Sequence, residues 1–240
     1  MMLNRILPVV FLVLSAAPSG GIPWDKKPEQ WDQADAYHIL RDSPWTPSEI
    51  KLETNSAQRE TGAGSSSPLN AERANPLRGI DITHDKPLPP VSILWWSSKI
   101  VRLAKQRLSQ LRNPSGTPPP LRAEDLSDFV VAIEGSEQLR ILRDAKEDLH
   151  DTVFLELPDG LPLDLQSMQF IEGAEEDDVR AEFHFAREVD GRPSLESDAE
   201  RVSFHCRATA KTPRQGEQNV ISVRAEFHPN RMRARNLPDF

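Results

Sequence analysis

The spacing of apolar and polar positions divides the chain into a short first block and a long second one. In the first, Pro28 suits the opening position of a helix, and Glu29–Ser43 is rich in helix formers, with Glu29 and Asp32 near the positive end of the helix dipole. Ala36, Ile39 and Leu40 fall on one line of this helix, and Pro44 ends it by forcing the preceding residue out of the helical region. Glu49–Thr54 alternates, with Ile50 and Leu52 on one side, which predicts a short strand. The pattern then lapses across Asn55–Pro90. This stretch carries Gly62-Ala63-Gly64-Ser65-Ser66-Ser67-Pro68, ends in Pro87-Leu88-Pro89-Pro90, and has too few large apolar residues to offset the entropy of ordering it. It reads as a flexible Pro/Ser/Gly linker at residues 55–90.

Regular patterning resumes at Val91. Val91–Trp96 is a strand candidate, after which Ser97 or Ser98 caps a helix running to Arg112, with Ile100, Leu103, Ala104, Leu108 and Leu111 in helical step. The outer face of that helix carries Lys99, Arg102, Lys105 and Arg112, a basic stripe read as an ordinary solvated face. Phe129–Glu134 is an apolar strand, and Gly135-Ser136 opens a second helix to about Asp148 with Leu139, Leu142, Ala145 and Leu149 in step. The order strand, helix, strand predicts a right-handed crossover between parallel neighbours if both strands share a sheet. Five further strands follow at Thr152–Leu157, Leu163–Ile171, Val179–Arg187, Arg201–Ala208 and Val220–His228, with Pro158-Asp159-Gly160 as a turn between the first two. Their succession predicts antiparallel pairing.

Within these strands one hexapeptide occurs twice. Val179-Arg180-Ala181-Glu182-Phe183-His184 recurs letter for letter as Val223-Arg224-Ala225-Glu226-Phe227-His228, and Arg201-Val202-Ser203-Phe204-His205-Cys206 echoes it. Side chains alternate faces along a strand, so Val, Ala and Phe line one face while Arg, Glu and His line the other. The polar face should be tied by cross-strand Arg–Glu pairs. If the register sets His184, His205 and His228 side by side, their imidazoles have the makings of a Zn²⁺ or Cu²⁺ site. Neither H-x-H nor H-E-x-x-H spacing occurs, and no metal site is assigned.

The chain starts with a positive stretch ending at Arg5, an apolar run Ile6–Ala17 and small residues Pro18-Ser19-Gly20-Gly21. That is the layout of a secretory signal peptide at residues 1–20, with an apolar run too short to span a bilayer. No cysteine follows the run, so a lipid anchor is not expected. The expectation is export to the periplasm or beyond, with no transmembrane helix after cleavage. Net charge is −8, and −9 once Arg5 is removed (−8 − 1). That balance, with a pI near 5.3, speaks against nucleic acid as a partner. Cys206 is the single cysteine, which excludes an intramolecular disulfide.

Catalytic signatures are missing. There is no G-x-S-x-G elbow, phosphate-binding loop or dinucleotide fingerprint, and Gly62-Ala63-Gly64 lies in the linker. His205 and Cys206 are strand neighbours that point to opposite faces, so Cys206 reads as a core thiol. The acidic run Glu172–Asp178 lacks the ligand order of a calcium loop. Of five tryptophans, Trp31 and Trp45 are expected to pin the first helix, and of Trp95 and Trp96 only one should face a core. Trp24 and Trp96 are thus the candidates for an exposed contact surface.

Three islands, Lys26-Lys27-Pro28-Glu29-Gln30-Trp31, Ile39-Leu40-Arg41-Asp42-Ser43-Pro44-Trp45 and Trp95-Trp96-Ser97-Ser98 into Val101-Arg102, together with Ala225-Glu226-Phe227 through Met232 to Pro238-Asp239-Phe240, resemble a group of uncharacterised secreted proteins of acidobacteria-type soil bacteria. The islands span most of the chain that would remain after signal cleavage, and the linker has no counterpart. Trp96 stands where that group usually carries a charged residue. The resemblance implies export and a shared architecture, and it transfers no activity or site residue.

The expected protein is thus an exported α+β bacterial protein. It has an N-terminal arm (residues 21–54, helix and short strand), the linker, and a core at 91–240 of largely antiparallel sheet with two packed helices. The leading reading is a non-enzymatic envelope interaction or structural protein with a possible envelope protein partner and no cofactor. The alternatives are a metal-dependent or hydrolytic enzyme, or a solute-binding module, using the Arg/Glu/His sheet face.

Overall fold

The computed structural model describes residues 21–54, 91–113, 118–135, 139, 142–143, 149–172, 179–211 and 218–240. The predicted signal peptide, the linker and most of the predicted helix at 136–148 lie outside the described residues, although Leu139, Leu142 and Leu149 of that segment are buried. Sheet dominates the described part, within an α+β architecture. Eight strands form one curled antiparallel sheet in the order β1-β10-β9-β4-β5-β6-β3-β2. They are β1 (Glu49–Thr54), β2 (Val91–Trp95), β3 (Asp128–Gly135), β4 (Val153–Glu156), β5 (Pro162–Glu172), β6 (Val179–Ala186), β9 (Val202–Lys211) and β10 (Gln218–Phe227). Two small hairpins, β7–β8 (Glu188–Val189 with Arg192–Pro193) and β11–β12 (Arg233–Ala234 with Leu237–Pro238), stand apart.

Alternation fills the concave side. Ala181, Phe183 and Phe185 of β6 are fully buried, as are Val202 and Phe204 of β9 and Ala225 and Phe227 of β10. The curl brings strands from opposite halves into contact: Phe204 meets Phe183 at 5.3 Å between ring centroids, and Trp95 of β2 meets Phe227 of β10 edge-on at 5.2 Å. The Trp95 N–H closes the curl by donating to the Trp45 carbonyl at 2.9 Å. Residues 21–54 are therefore woven into the core, with β1 as an edge strand on β10 and Trp31 and Trp45 fully buried.

The helix of the N-terminal arm, α1, runs from Gln33 to Arg41, five residues later than its predicted start at Pro28. Pro28–Gln30 forms a single 3₁₀ turn, and Trp31 is extended so that its indole turns inward and donates to the Pro23 carbonyl at 2.7 Å. Asp32 then starts the helix: its carboxylate accepts the Asp35 N–H at 2.8 Å while Asp35 reaches back to the Asp32 N–H at 3.4 Å, a capping box.

The second helix, α2 (Lys99–Arg112), begins as predicted after Ser98, whose hydroxyl accepts the Val101 N–H. The predicted parallel crossover across α2 does not form, because β2 and β3 are antiparallel neighbours. The cause is the return segment after the helix. Gln110, Gln106 and Arg102 donate in turn to the carbonyls of Pro119, Arg122 and Glu124, so the chain runs back along the helix to its first turn before β3 starts. There Ser97 Oγ accepts the Val130 N–H. Since α2 lies on the convex side of β2 and β3, Val130–Ile133 is buried on both faces, which is why it reads as an unbroken apolar run. No helix among the described residues is long and apolar enough to cross a membrane.

Candidate functional site

The Arg/Glu/His face of the sheet is split into two environments. On β6 and β3 it is covered. Lys105 from α2 pairs with Glu134, Arg180 bridges Glu182 at 2.7 Å and Glu134 at 4.0 Å, and the Arg180 guanidinium lies 3.9 Å from the centre of the Trp96 ring. Glu182 is itself buried, and His184 Nδ1 contacts Asp128 at 3.2 Å while its Nε2 is buried without a hydrogen bond. This network holds α2 and Trp96 on the sheet.

On β1, β10, β9 and β4 the same face is open. Antiparallel pairing aligns Lys51, Arg224, His205 and Phe154 in one row across four strands. The next row holds Glu49, Glu226, Ser203 and Glu156. The His205 ring stacks on Phe154 at 4.6 Å with 8° between planes, and His205 Nε2 is 2.9 Å from Glu156. Burial pushes the His205 pKa down, an effect that Arg224 reinforces and the Glu156 hydrogen bond opposes.

The three histidines are not brought together. His184 on β6 is separated from β9 by β5 and β4. His228 follows β10 and contacts the Glu200 carbonyl and the Ser48 hydroxyl. No group of three or more potential metal-ligating side chains occurs among the described residues. Cys206 is buried, and burial raises its thiol to about 12, so it is held as the neutral thiol of a core residue.

The tryptophans do not form an exposed surface. Trp95 is fully buried and Trp96 is 7% exposed, which corrects the expectation that one of them faces solvent. Trp95 ends β2 with its ring inward, whereas Trp96 belongs to the turn into α2, where strand alternation no longer applies and Arg180 covers its ring. Trp24 is half-buried against Trp45 and His38. The basic stripe of α2 is also occupied: Lys99 pairs with Asp125 at 2.7 Å, Arg102 donates to the carbonyls of Ser97, Ser98 and Glu124, and Arg112 donates to the Tyr37 hydroxyl. Of the acidic run only Glu172 is described, exposed beside Arg143 at 3.6 Å.

The larger concavity lies where the N-terminal arm, the start of α2 and the C-terminal tail meet. It is a cleft of about 630 Å³. The β11–β12 hairpin turns on Arg235 and Asn236, both in the left-handed region (φ 50° and 66°), and folds the tail back over α2. Asp239 then caps the helix from outside: its carboxylate accepts the Ser98 hydroxyl at 2.6 Å and the Lys99 and Ile100 N–H groups at 2.9 and 3.1 Å. Trp45 Nε1 donates to the Asp239 carbonyl, and Phe240 stacks on Phe129 at 5.8 Å. Trp24, Ile100, Leu103 and Phe240 supply apolar wall, and Leu237, 70% exposed, forms part of the rim.

Arg187 lines this cleft. Its guanidinium lies over the Phe129 ring, 4.5 Å from the ring centre, and its Nε donates to the Leu126 carbonyl at 3.1 Å. Burial lowers its pKa, with Asp125, Asp128 and Asp239 opposing, and it stays a cation at neutral pH. The Lys99 bond holds Asp125 below the usual carboxylate range, so that carboxylate is ionised. Neither Arg187 nor Asp239 stood out in the sequence, where nothing links them to α2. Comparison with protein-family models, curated proteins and solved structures finds no match.

Proposed function

We propose that this chain is an exported, non-enzymatic binding protein, and that it seats a small amphipathic carboxylate in the cleft beside the first turn of α2. The observation that carries this reading is Arg187, a half-buried guanidinium on an aromatic ring beside apolar walls. Such an arrangement fixes an anionic head while burying an apolar tail, and about 630 Å³ is within the range of small-molecule sites. Arg187 spends Nε on a backbone carbonyl, and its terminal nitrogens are the donors offered to a carboxylate. Cys206 offers no nucleophile, as a buried thiol raised to about 12. Export rests on the basic, apolar and small-residue layout of residues 1–20 and on the resemblance to secreted soil-bacterial proteins. Docking through exposed tryptophans is not part of the reading, because Trp96 and Trp95 are buried.

The test has two arms. Protein recovered from the envelope or medium of its host is sequenced from its amino end, and a start near Gly20 or Gly21 is expected. A start at Met1 overturns export. Decanoate is then titrated against the intrinsic fluorescence of the purified chain, for which Trp24 in the cleft wall is the reporter. A saturable change is expected, weakened about tenfold or more by Arg187→Ala, which removes a charge-assisted contact. No saturable change, or binding indifferent to Arg187→Ala and to Leu103→Asp, overturns the cleft as the site.

A further inference from the structure

We propose that the open sheet face of β1, β10, β9 and β4 is a second binding site, distinct from the cleft, that takes a phosphoryl group. A groove of about 410 Å³ runs over this face, lined by Lys51, Arg224, Arg207, Ser222 and the stacked Phe154–His205 pair. Strand pairing sets Lys51 directly opposite Arg224, and like charges directly opposite each other weaken an antiparallel pair. Arg207, opposite Ser222, adds a third cation on the diagonal from Arg224. β1 contributes Glu53 to the Ser222 row.

The neighbouring carboxylates settle only part of this repulsion. Glu49 takes Lys51 at 3.0 Å, and Glu156 takes Arg224 at 3.8 Å while also holding His205. Arg207 is exposed and has no ion-pair partner among the described residues. Neighbouring strands are about 4.8 Å apart and same-face residues along a strand about 6.8 Å apart. Three long cations at those spacings converge on one multidentate anion better than on a single carboxylate. The Ser222 hydroxyl adds a neutral donor, and the Phe154–His205 stack gives the groove a flat side wall. A bound dianion relieves the Lys51–Arg224 repulsion, so the fold's local cost becomes the ligand's gain.

The probe is inorganic pyrophosphate titrated into the purified chain by calorimetry, at low ionic strength and again at about 0.15 M salt. Saturable binding that weakens with salt is expected, and Arg207→Glu should reduce it about tenfold or more. Arg192→Glu, the same charge change on the remote β7–β8 hairpin, controls for net charge. The proposal falls if pyrophosphate does not saturate, or if Arg192→Glu weakens binding as much as Arg207→Glu. Co-sedimentation with phosphatidylcholine vesicles containing phosphatidic acid separates the sources. Sedimentation lost in Arg207→Glu assigns the group to a lipid head, and pyrophosphate binding without sedimentation assigns it to a soluble ligand. Arg207 is exposed, so the variant is expected to fold, and its decanoate titration stays that of the parent. Failure here therefore leaves the cleft reading standing.

Discussion

The two copies of Val-Arg-Ala-Glu-Phe-His form the same local structure and end in different chemistry. In both, Ala and Phe point into the concave core and are fully buried. The outward residues diverge. In the first copy Arg180 is pressed on Trp96 and bonded to Glu182, and the side chains of Arg180, Glu182 and His184 are 23%, 9% and 14% exposed. In the second copy Arg224, Glu226 and His228 are 46%, 23% and 23% exposed. The difference is external to the hexapeptide. α2 and Trp96 cover one copy and nothing described covers the other. Period-two alternation assigns the inner face by itself, while the outer face takes its role from whatever the topology lays over it.

The largest test of the shared half is truncation of the core phenylalanines. Phe183→Ala and Phe227→Ala should each cost about 3–5 kcal/mol, as cavity-forming aromatic truncations do. Both rings are fully buried, and both meet aromatic neighbours, Phe204 for one and Trp95 for the other. Urea unfolding with unchanged slope checks this. A difference of more than a factor of two between the copies would show that the inner faces are not equivalent.

The outer faces should separate by a smaller but clearer margin. Glu182→Ala strips a buried network of the carboxylate that holds Arg180 and approaches His184, and removing one member of a buried pair costs about 3 kcal/mol. Glu226→Ala acts on a half-buried but loosely paired carboxylate, with Arg201 at 3.9 Å and His228 at 3.6 Å, and should cost less than about 1 kcal/mol. A double-mutant cycle of Glu182 with Arg180 isolates the pair from the rest. Equal losses in the two copies would remove the distinction drawn between a covered and an open face.

What could be read from the sequence follows the same division. The alternation of Val179–Phe185 and Val202–Cys206 defines their strands and core-facing sides, and the Ser97-Ser98 pair marks the start of α2, with Ser98 as the cap. Pro28 and Glu29 suit a helix locally, but the inward turn of Trp31 decides the boundary and moves the start of α1 to Gln33. The antiparallel β2–β3 pair depends on hydrogen bonds along the return segment, which carry no periodic signal. The candidate sites were hidden for a related reason. Asp239 caps a helix 140 residues earlier in the chain, and Lys51, Arg207 and Arg224 meet only through strand order. Local pattern specifies which side of a strand is dry, but tertiary pairing chooses which charges become neighbours.

The finest distinction is in the pH dependence of the open face. His205 stands opposite Arg224 of the second copy, and its folded pKa is held below 6.5 chiefly by burial. Above that value imidazole is neutral in both the folded and unfolded chain and contributes no slope. As pH falls through 6.5, the unfolded chain takes up a proton that the fold refuses, so stability declines until pH reaches the folded pKa and then levels. His205→Gln should flatten that part of the stability profile from about pH 7 downward, measured by urea unfolding at each pH. Arg224→Ala removes one of the causes that lower the His205 pKa and should make the decline shallower without abolishing it. An unchanged slope in His205→Gln would assign the acid sensitivity to other groups. A steeper slope in Arg224→Ala would mean that Glu156, freed from Arg224, turns away from the imidazole and no longer opposes the effect of burial.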